Sequence, residues 1–286
     1  MTAALTAALN RFGLTAPIPL AETSAARLWR VRGADGTDQV LKLYARGHKG
    51  NEETGSLWLE RASAAGAPVV AVLAQSAEAV VMPLLKGPLL GDLARGGHDD
   101  AACATLADLA RRIHGAGVDP GGLAPLDQWM EPVLALGCGT DCPQPLRQGI
   151  IRAQVLVRQF LATAPAPAAL HGDLHHDNVI VTATGPVAID AKGIAGDPAF
   201  ELANALRNPR GMADRVLDSD RQRACLDRYA TAMRVPKARL TAWAAVKVAH
   251  SMALRAQAAP LGADREAPLL LSLLELAAQT PLTMDG

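Results

Sequence analysis

A polar segment near the middle of the chain constrains this sequence more than any other feature. Residues 170–178 read Leu-His-Gly-Asp-Leu-His-His-Asp-Asn, and two short apolar runs follow them. Asp173 and Asn178 are five residues apart, and Asp190 ends the second apolar run, Val187–Ile189. A loop followed by apolar strands would gather these three side chains around one point. The segment therefore predicts a site made of two carboxylates and one amide.

The spacing of these residues indicates the chemistry that such a site could perform. The Asp and Asn of the kinase catalytic loop H-R-D-x-x-x-x-N are also five residues apart. We expect Asp173 to accept the proton of an attacking hydroxyl. Asn178 and Asp190 are the expected ligands of Mg²⁺, which prefers hard oxygen donors. A lone aspartate could instead be a buried structural residue, but the His-Gly pair before Asp173 and the correctly spaced Asn178 favour the catalytic interpretation.

The adjacent His175 and His176 could suggest a zinc site. Neighbouring side chains point in different directions, however, and no third His or Cys in the sequence has a suitable spacing. We expect the two histidines to shape the loop through hydrogen bonds.

The N-terminal third has the pattern of a small antiparallel sheet. Two β-rich runs are joined by Gly33–Thr37, whose Asp-Gly pair is a strong hairpin signal. Beyond residue 89 the apolar spacing becomes helical. We predict an α+β fold with two lobes, a nucleotide-binding lobe over 1–85 and a mostly helical catalytic and substrate-binding lobe over 86–286. The predicted elements of the smaller lobe are a helix at Thr2–Phe12, strands at Arg27–Arg32, Gln39–Tyr44, Val69–Ala74 and Ala79–Leu84, and one main helix at about Asn51–Ala65. Those of the larger lobe include helices at Asp99–His114, Leu146–Leu161, Asp214–Met233 and Pro236–Ala258.

Lys42 is the candidate for a phosphate-binding lysine. It lies in the predicted strand Val-Leu-Lys-Leu-Tyr, where Leu41 and Leu43 point to one face and Lys42 to the other. If the leucines pack under a helix, the ammonium faces the side where a nucleotide could lie. A lysine snorkelling at a sheet edge is the alternative. A carboxylate on the following helix should hold Lys42, and the sequence does not separate Glu52 from Glu53 for this role.

A phosphate-binding loop is harder to find. Neither G-x-G-x-x-G nor G-x-x-x-x-G-K-[ST] occurs. The candidate is the segment 22–26, with Ser24 at its centre, whose mostly small side chains would let backbone N–H groups approach phosphates. An ordinary polar loop fits the same residues equally well.

Charge and composition exclude several classes of partner. Lys and Arg number 28, as do Asp and Glu, so the formal net charge is zero. That balance argues against nucleic acid or an anionic membrane as the main partner, and the 3% aromatic content argues against stacking on single strands. The opening residues lack the features of a signal peptide, and no run approaches the roughly 20 apolar residues of a membrane span. We expect a cytoplasmic protein that acts on a small molecule.

The four cysteines are too sparse for a disulfide framework in 286 residues. Cys138 and Cys142 could form half of a zinc site, but the second half is missing. We expect unpaired cytosolic thiols.

With these residues in place, the chain resembles the aminoglycoside phosphotransferase family, a branch of the protein-kinase-like fold. The resemblance covers roughly residues 20–260 and includes Lys42, the helix ending at His114, the 170–178 segment and Ile189-Asp190. Residues 189–193, Ile-Asp-Ala-Lys-Gly, are similar to the I-D-P-K-G of streptomycin and hydroxyurea phosphotransferases. Ala203-Asn204 through Asn208-Pro209 point to the same subgroup.

The resemblance implies ATP-dependent phosphorylation of a hydroxyl on a streptomycin-like aminocyclitol. It implies that Asp173 is the base, that Asn178 and Asp190 bind magnesium, and that Lys42 steadies the nucleotide phosphates. The backbone from Met82 through Leu84 to Leu85 would contact the adenine.

Two departures bear on the substrate. Ala191 stands where the subgroup prefers Pro, and Glu201 where an Asp is usual. Lys192 could contact phosphate or substrate, or form a salt bridge with a neighbouring acid. A kinase of a sugar, amino alcohol or ketoamine is the alternative activity, and a nucleotide-binding pseudokinase is the alternative that lacks turnover.

Overall fold

The structure is a computed structural model that describes residues 2–23, 25–139, 142–256 and 261–279. Ten helices are found in these ranges: α1 (Ala3–Phe12), α2 (Glu53–Ala64), α3 (Leu90–Leu93), α4 (Asp99–Gly115), α5 (Leu126–Leu134), α6 (Gln144–Ala162), α7 (Ala213–Leu217), α8 (Ser219–Met233), α9 (Lys237–Arg255) and α10 (Ala267–Gln279). Ten strands accompany them: β1 (Thr15–Glu22), β2 (Ala26–Arg32), β3 (Asp38–Tyr44), β4 (Ala74–Gln75), β5 (Ala79–Pro83), β6 (Ala124–Pro125), β7 (Ala168–Leu170), β8 (Val179–Thr182), β9 (Gly185–Ala188) and β10 (Ile194–Gly196).

The first five strands form one antiparallel sheet in the order β1-β2-β3-β5-β4. The predicted hairpin joins β2 to β3, and Asp35 stabilises its turn by accepting hydrogen bonds from the Thr37 N–H at 2.9 Å and its hydroxyl at 2.7 Å. Leu41 and Leu43 of β3 are buried against α1. The alternation predicted for β3 is thus confirmed, and the helix that covers the leucines is α1.

One expectation for the smaller lobe was wrong, and one of its strands was not predicted. Only Ala74–Gln75 pairs with β5 where a strand was predicted over Val69–Ala74. The N–H of Val70 instead donates to the carbonyl of Ala188 at 2.9 Å, so this segment joins the sheet to the β8–β9 hairpin. Strand β1 was not predicted, because its two prolines disfavour a strand except at a sheet edge, which is where β1 lies.

Helix α9 lies at the centre of the helical region and contacts α5, α6, α8 and α10. Residues 241–250 are buried without interruption. Trp243 packs between the rings of Phe160 and Phe200, with centroids 5.0 and 5.3 Å away. The helix predicted over Asp214–Met233 is divided at Asp218, whose side chain caps α8 by accepting hydrogen bonds from two backbone N–H groups. This core supports the loop that carries Asp173.

The expectation of unpaired thiols is wrong for Cys138 and Cys142, which form a disulfide. Their Cα atoms are 5.7 Å apart, within the range that a disulfide spans. Cys103 and Cys225 are free and buried. Among the described helices, none combines the length and apolarity needed to cross a lipid bilayer.

Candidate active site

A cavity of about 390 Å³ separates the five-stranded sheet from the β8–β9 hairpin. The predicted residues Met82 and Leu84 line it, and so do Thr23 and Ala25 of the candidate phosphate loop. Ser24 lies outside the described residues. Apolar side chains form two opposite walls, a shape that suits a flat aromatic base: Leu28, Val40, Val80 and Met82 from the sheet, and Ile180 and Ile189 from the other side.

Two lysines and two carboxylates meet at the polar end of this cavity. Lys42 Nζ lies 2.5 Å from Glu52 Oε2 and 2.7 Å from Asp190 Oδ1. Lys192 Nζ lies 3.0 Å from Glu52 Oε1 and 3.8 Å from Asp190 Oδ2. Their formal charges cancel. Of the two contacts considered for Lys192, the structure contains the salt bridge to a neighbouring acid.

Glu52 is the carboxylate on the α2 side that pairs with Lys42. Glu52 ends a short 3-10 turn before α2 and is buried, whereas Glu53 begins α2 and is exposed. Consecutive helical residues point roughly 100° apart, so only one of them can face β3. Of the two candidates left open by the sequence, Glu52 pairs with Lys42 and Glu53 does not.

The charges at this end of the cavity stabilise one another. Burial lowers the pKa of Lys42, but the carboxylates of Asp190 and Glu52 raise it by more, so this pKa lies above its ordinary value. Burial raises the pKa of Asp190, and the ammonium groups of Lys192 and Lys42 lower it by more. Both Lys42 and Asp190 are therefore charged near neutral pH.

His171 connects the Asp173 loop to the strand that presents Asp190. Its Nδ1 accepts a hydrogen bond from the backbone N–H of Asp173 at 3.2 Å, so the proton is on Nε2. Nε2 in turn donates to the carbonyl of Ile189 at 2.9 Å. This pair of bonds fixes the two aspartates relative to each other.

Glu201 holds the loop that carries Asp173 through hydrogen bonds to its backbone. Its carboxylate accepts hydrogen bonds from the backbone N–H groups of His171 at 2.9 Å and Gly172 at 3.2 Å, and Oε2 lies 2.8 Å from His114 Nε2. Sequence reasoning noted Glu201 only as a departure from a family pattern. Its structural role could not be read from the sequence, because its partners are 29 or more residues away.

Asp173 is partly buried, with 22% of its side-chain surface exposed. Asn178 Nδ2 donates to the backbone carbonyl of Asp173 at 2.9 Å and lies 3.4 Å from Asp173 Oδ2. Asn204 Nδ2 donates to Oδ1 at 2.8 Å, and Lys247 Nζ lies 3.7 Å from the same oxygen. Sequence reasoning gave no role to Asn204 or Lys247. A lone lysine inside the apolar run of α9 was the available signal for the second.

The donor atoms fit a divalent cation. Asn178 and Asp190 both line the cavity, and the hydrogen bonds of Asn178 Nδ2 fix its amide, so that Oδ1 is the atom that could coordinate a metal. Asp190 has a φ of +60°, a left-handed conformation that is costly for a non-glycine residue and is often found at functional sites. Hard oxygen donors in this number suit Mg²⁺.

His175 and His176 do not form a zinc site with each other. His175 Nδ1 accepts a hydrogen bond from the N–H of Asp177 at 3.2 Å, a bond that shapes the loop. His176 belongs to a buried group with Asp99 and Cys103, and its Nε2 lies 3.4 Å from Cys103 Sγ. Arg221 already binds both oxygens of Asp99, at 2.7 and 3.0 Å, so the charge of this carboxylate is compensated without a metal.

Comparison with known proteins gives a consistent picture. A family model described as aminoglycoside/hydroxyurea antibiotic resistance kinase matches residues 11–258. Streptomycin 3''-kinase of Klebsiella pneumoniae is 37% identical over 143 residues, which are 48% of this chain and 50% of that protein. Streptomycin 6-kinase of Streptomyces glaucescens is 31% identical over 206 residues, 69% of this chain and 64% of that protein. The chain thus spans between half and two thirds of the length of these curated relatives.

A solved structure with the same fold is that of amicoumacin kinase hAmiN in complex with AMP-PNP, Ca²⁺ and Ami. It matches with a TM-score of 0.67 at 14% identity and covers 100% of this chain and 96% of that chain. This likeness confirms the predicted α+β, protein-kinase-like fold.

Proposed function

Because this chain belongs to the aminoglycoside/hydroxyurea antibiotic resistance kinase family, we propose that it transfers the γ-phosphoryl group of ATP to a hydroxyl of a small molecule. The observation that carries the proposal is the meeting of Lys42, Glu52, Asn178 and Asp190 at one end of an apolar cavity, with Asp173 beside Asn178. The proposal includes the division into a nucleotide-binding lobe over 1–85 and a catalytic lobe over 86–286.

The cavity supports ATP as the phosphoryl donor. Its apolar walls suit the adenine, and the connector residues Met82 and Leu84 would border it. Lys42 lies where it would neutralise charge on the phosphates, and Glu52 holds its ammonium in that position. Lys192 shares Glu52 and is positioned to help in the same task.

Asn178 and Asp190 would hold magnesium. When bound, the ion would supply positive charge to the phosphate oxygens on which negative charge develops during transfer. Asp190 approaches from the end of β9, and Asn178 is held by the backbone of Asp173. The protein thus contributes ligands from two sides of the hairpin.

Asp173 would orient the acceptor hydroxyl and take its proton as the new ester forms. Burial raises the pKa of Asp173, but the charges of Lys247 and His175 lower it by more, so the carboxylate is ionised and can accept a proton. Most of the rate enhancement would come from position and electrostatics.

A streptomycin-like aminoglycoside is the proposed acceptor. Two of the relatives are streptomycin kinases that act on different positions, as their names state. Hydroxyurea, named in the family description, is the second acceptor to test.

The test is the Mg²⁺-dependent formation of ADP from ATP with a panel of acceptors: streptomycin, hydroxyurea, a neutral sugar, an amino alcohol and a ketoamine. Phosphorus NMR of the products would identify the new phosphate ester. We expect turnover with streptomycin that is lost without Mg²⁺ and in Asp173→Asn. Turnover on the sugar, amino alcohol or ketoamine alone would refute the antibiotic assignment, and nucleotide binding with no turnover on any acceptor would identify a pseudokinase.

A further inference from the structure

Lys247 is a charged side chain in the middle of a fully buried stretch of α9. Its exposed fraction is 6%. Burial lowers the pKa of Lys247 by more than the nearby charge of Asp173 raises it, so this pKa lies below its ordinary value. A buried ion pair that is replaced as a whole by apolar side chains is often neutral or stabilising, so the stability of the fold alone does not require this pair.

The surroundings of Lys247 point to Asp173. Within the described residues, the carboxylate within 4 Å of Lys247 Nζ is that of Asp173, whose Oδ1 lies 3.7 Å away. Nζ also lies 5.6 Å from the centre of the Phe200 ring, a favourable contact for a cation. Helix α9 therefore delivers one ammonium to one oxygen of the proposed base.

The two oxygens of Asp173 are held unequally. Oδ1 receives the 2.8 Å hydrogen bond from Asn204 as well as the charge of Lys247. Asn204 cannot rotate freely, because its own Oδ1 accepts a hydrogen bond from Arg207 at 3.0 Å. The contacts of Asp173 Oδ2 are longer, at 3.4 Å to Asn178 Nδ2 and 4.0 Å to His175 Nε2.

We infer that Lys247 and Asn204 are positioning residues that hold Oδ1 of Asp173, so that Oδ2 is the atom that takes the proton of the acceptor hydroxyl. The inference rests on the proposed kinase function. The acceptor oxygen forms its bond to the γ-phosphorus, the bond from that phosphorus to the bridging oxygen of ADP breaks, and the hydroxyl proton goes to Oδ2. A carboxylate free to rotate would present Oδ2 in this direction only part of the time.

The experiment compares Lys247→Met, Asn204→Ala and the matched control Lys237→Met, which changes a partly exposed lysine at the start of the same helix. For each protein, kcat and the KM for ATP and acceptor are measured, together with the free energy of unfolding in urea. Each substitution is also made in the Asp173→Asn background. Asn204→Ala gives the same readout if the Lys247 variant does not fold.

We expect Lys247→Met to lower kcat by about 10²-fold, the size of effect that lost positioning produces, with the KM for ATP unchanged. Its unfolding free energy should fall, because the change leaves the partly buried carboxylate of Asp173 without its ion-pair partner. Asn204→Ala should also lower kcat, and Lys237→Met should not. In the Asp173→Asn background neither of the first two changes should reduce kcat further, because both act through Asp173.

Wild-type kcat in both variants would overturn the inference and leave the kinase proposal intact. A loss of equal size in the Asp173→Asn background would also overturn it, because it would indicate a structural role independent of Asp173. A wild-type protein that phosphorylates no acceptor would refute the proposed function and this inference with it.

Discussion

Each charged residue of the site has more than one partner, so a substitution disturbs a network as well as a contact. Glu52 binds two lysines, and Asp190 lies within 4 Å of the same two. The energetic effects of substitutions within such a network do not add, because removing one charged side chain also leaves its partners unpaired.

Asp173→Asn should lower kcat by roughly 10²–10⁴-fold, the usual contribution of a general base. Nucleotide affinity should not change, since Asp173 is not among the residues that line the cavity between the sheet and the β8–β9 hairpin. Steady-state kinetics and calorimetric titration with AMP-PNP measure the two quantities. Asp214→Asn, at an exposed position, is the matched control. Undiminished turnover in Asp173→Asn would remove Asp173 from the mechanism.

Glu201→Gln should lower the free energy of unfolding by about 1–3 kcal/mol at pH 7. The amide nitrogen of the glutamine is itself a donor and would face an N–H group whose hydrogen bond the carboxylate accepts. Burial raises the pKa of Glu201, but the hydrogen bond from His114 and the neighbouring charges lower it by more. A lowered pKa in the folded state stabilises the fold above the unfolded value of about 4.3, and this contribution disappears as the pH falls through the folded pKa.

The difference between wild type and Glu201→Gln should therefore narrow as the pH drops below about 4. Urea unfolding at several pH values measures it, with the exposed Glu275→Gln as the control. A difference that is independent of pH would show that the charge of Glu201 is not what stabilises the loop.

At this scale the sequence predicted the residues that belong to a contiguous motif or an alternating strand, such as Asn178 and Lys42. It did not predict the contact of Asn204 and Lys247 with Asp173. They lie 31 and 74 residues after Asp173. Lys247 is on α9 and Asn204 is on the 3-10 helix Ala203–Arg207, and the packing of these two elements against each other brings both side chains to Asp173.

Among the elements, α2 packs against the residues that follow Asp190. Gly55 lies in α2, where a Cβ would overlap with the carbonyl oxygen of Ala191. The hydroxyl of Thr54 donates to the carbonyl of Lys192 at 2.9 Å. Helix α2 therefore rests directly on the residues after Asp190, and this contact sets where Glu52 meets Lys42.

Gly55→Ala should displace α2 from this segment, raise the KM for ATP and lower the free energy of unfolding by about 1–3 kcal/mol, as overpacking typically does. Gly115→Ala is the matched control, since a Cβ on this exposed helical glycine would meet nothing within 4 Å. Kinetics at varied ATP and urea unfolding are the measurements. Equal KM values for the two variants would mean that the position of α2 does not control the site.

Prediction of the elements succeeded where local pattern decides the structure. The β2–β3 hairpin follows from its Asp-Gly turn and alternating leucines. The path of Val69 and Val70 was missed because an apolar run pairs equally well with the sheet or with β9, and long-range register decides between them. The prolines of β1 concealed a strand, because proline is compatible with a strand only at the edge of a sheet and the sequence does not show where that edge lies.

In the whole molecule, the five-stranded sheet and the β8–β9 hairpin lie on opposite sides of one cavity. The sheet carries Lys42, and Asn178 and Asp190 lie at the two ends of the hairpin. Lys247 of α9 contacts Asp173. Neither the sheet nor the hairpin carries the complete set by itself. The sequence predicted the members of this set, but not the convergence of charges around Glu52, because Lys192 reaches it across 140 residues.

The central claim is that these residues form one magnesium–nucleotide site. Electron paramagnetic resonance of Mn²⁺, an octahedral oxygen-binding substitute for Mg²⁺, measures it directly when Mn²⁺ is titrated with and without AMP-PNP. The account predicts that AMP-PNP tightens Mn²⁺ binding in the wild type, in Asp173→Asn and in the exposed-residue control Glu53→Gln, and that Asp190→Asn abolishes this effect. Nucleotide-dependent Mn²⁺ binding of wild-type strength in Asp190→Asn would contradict it.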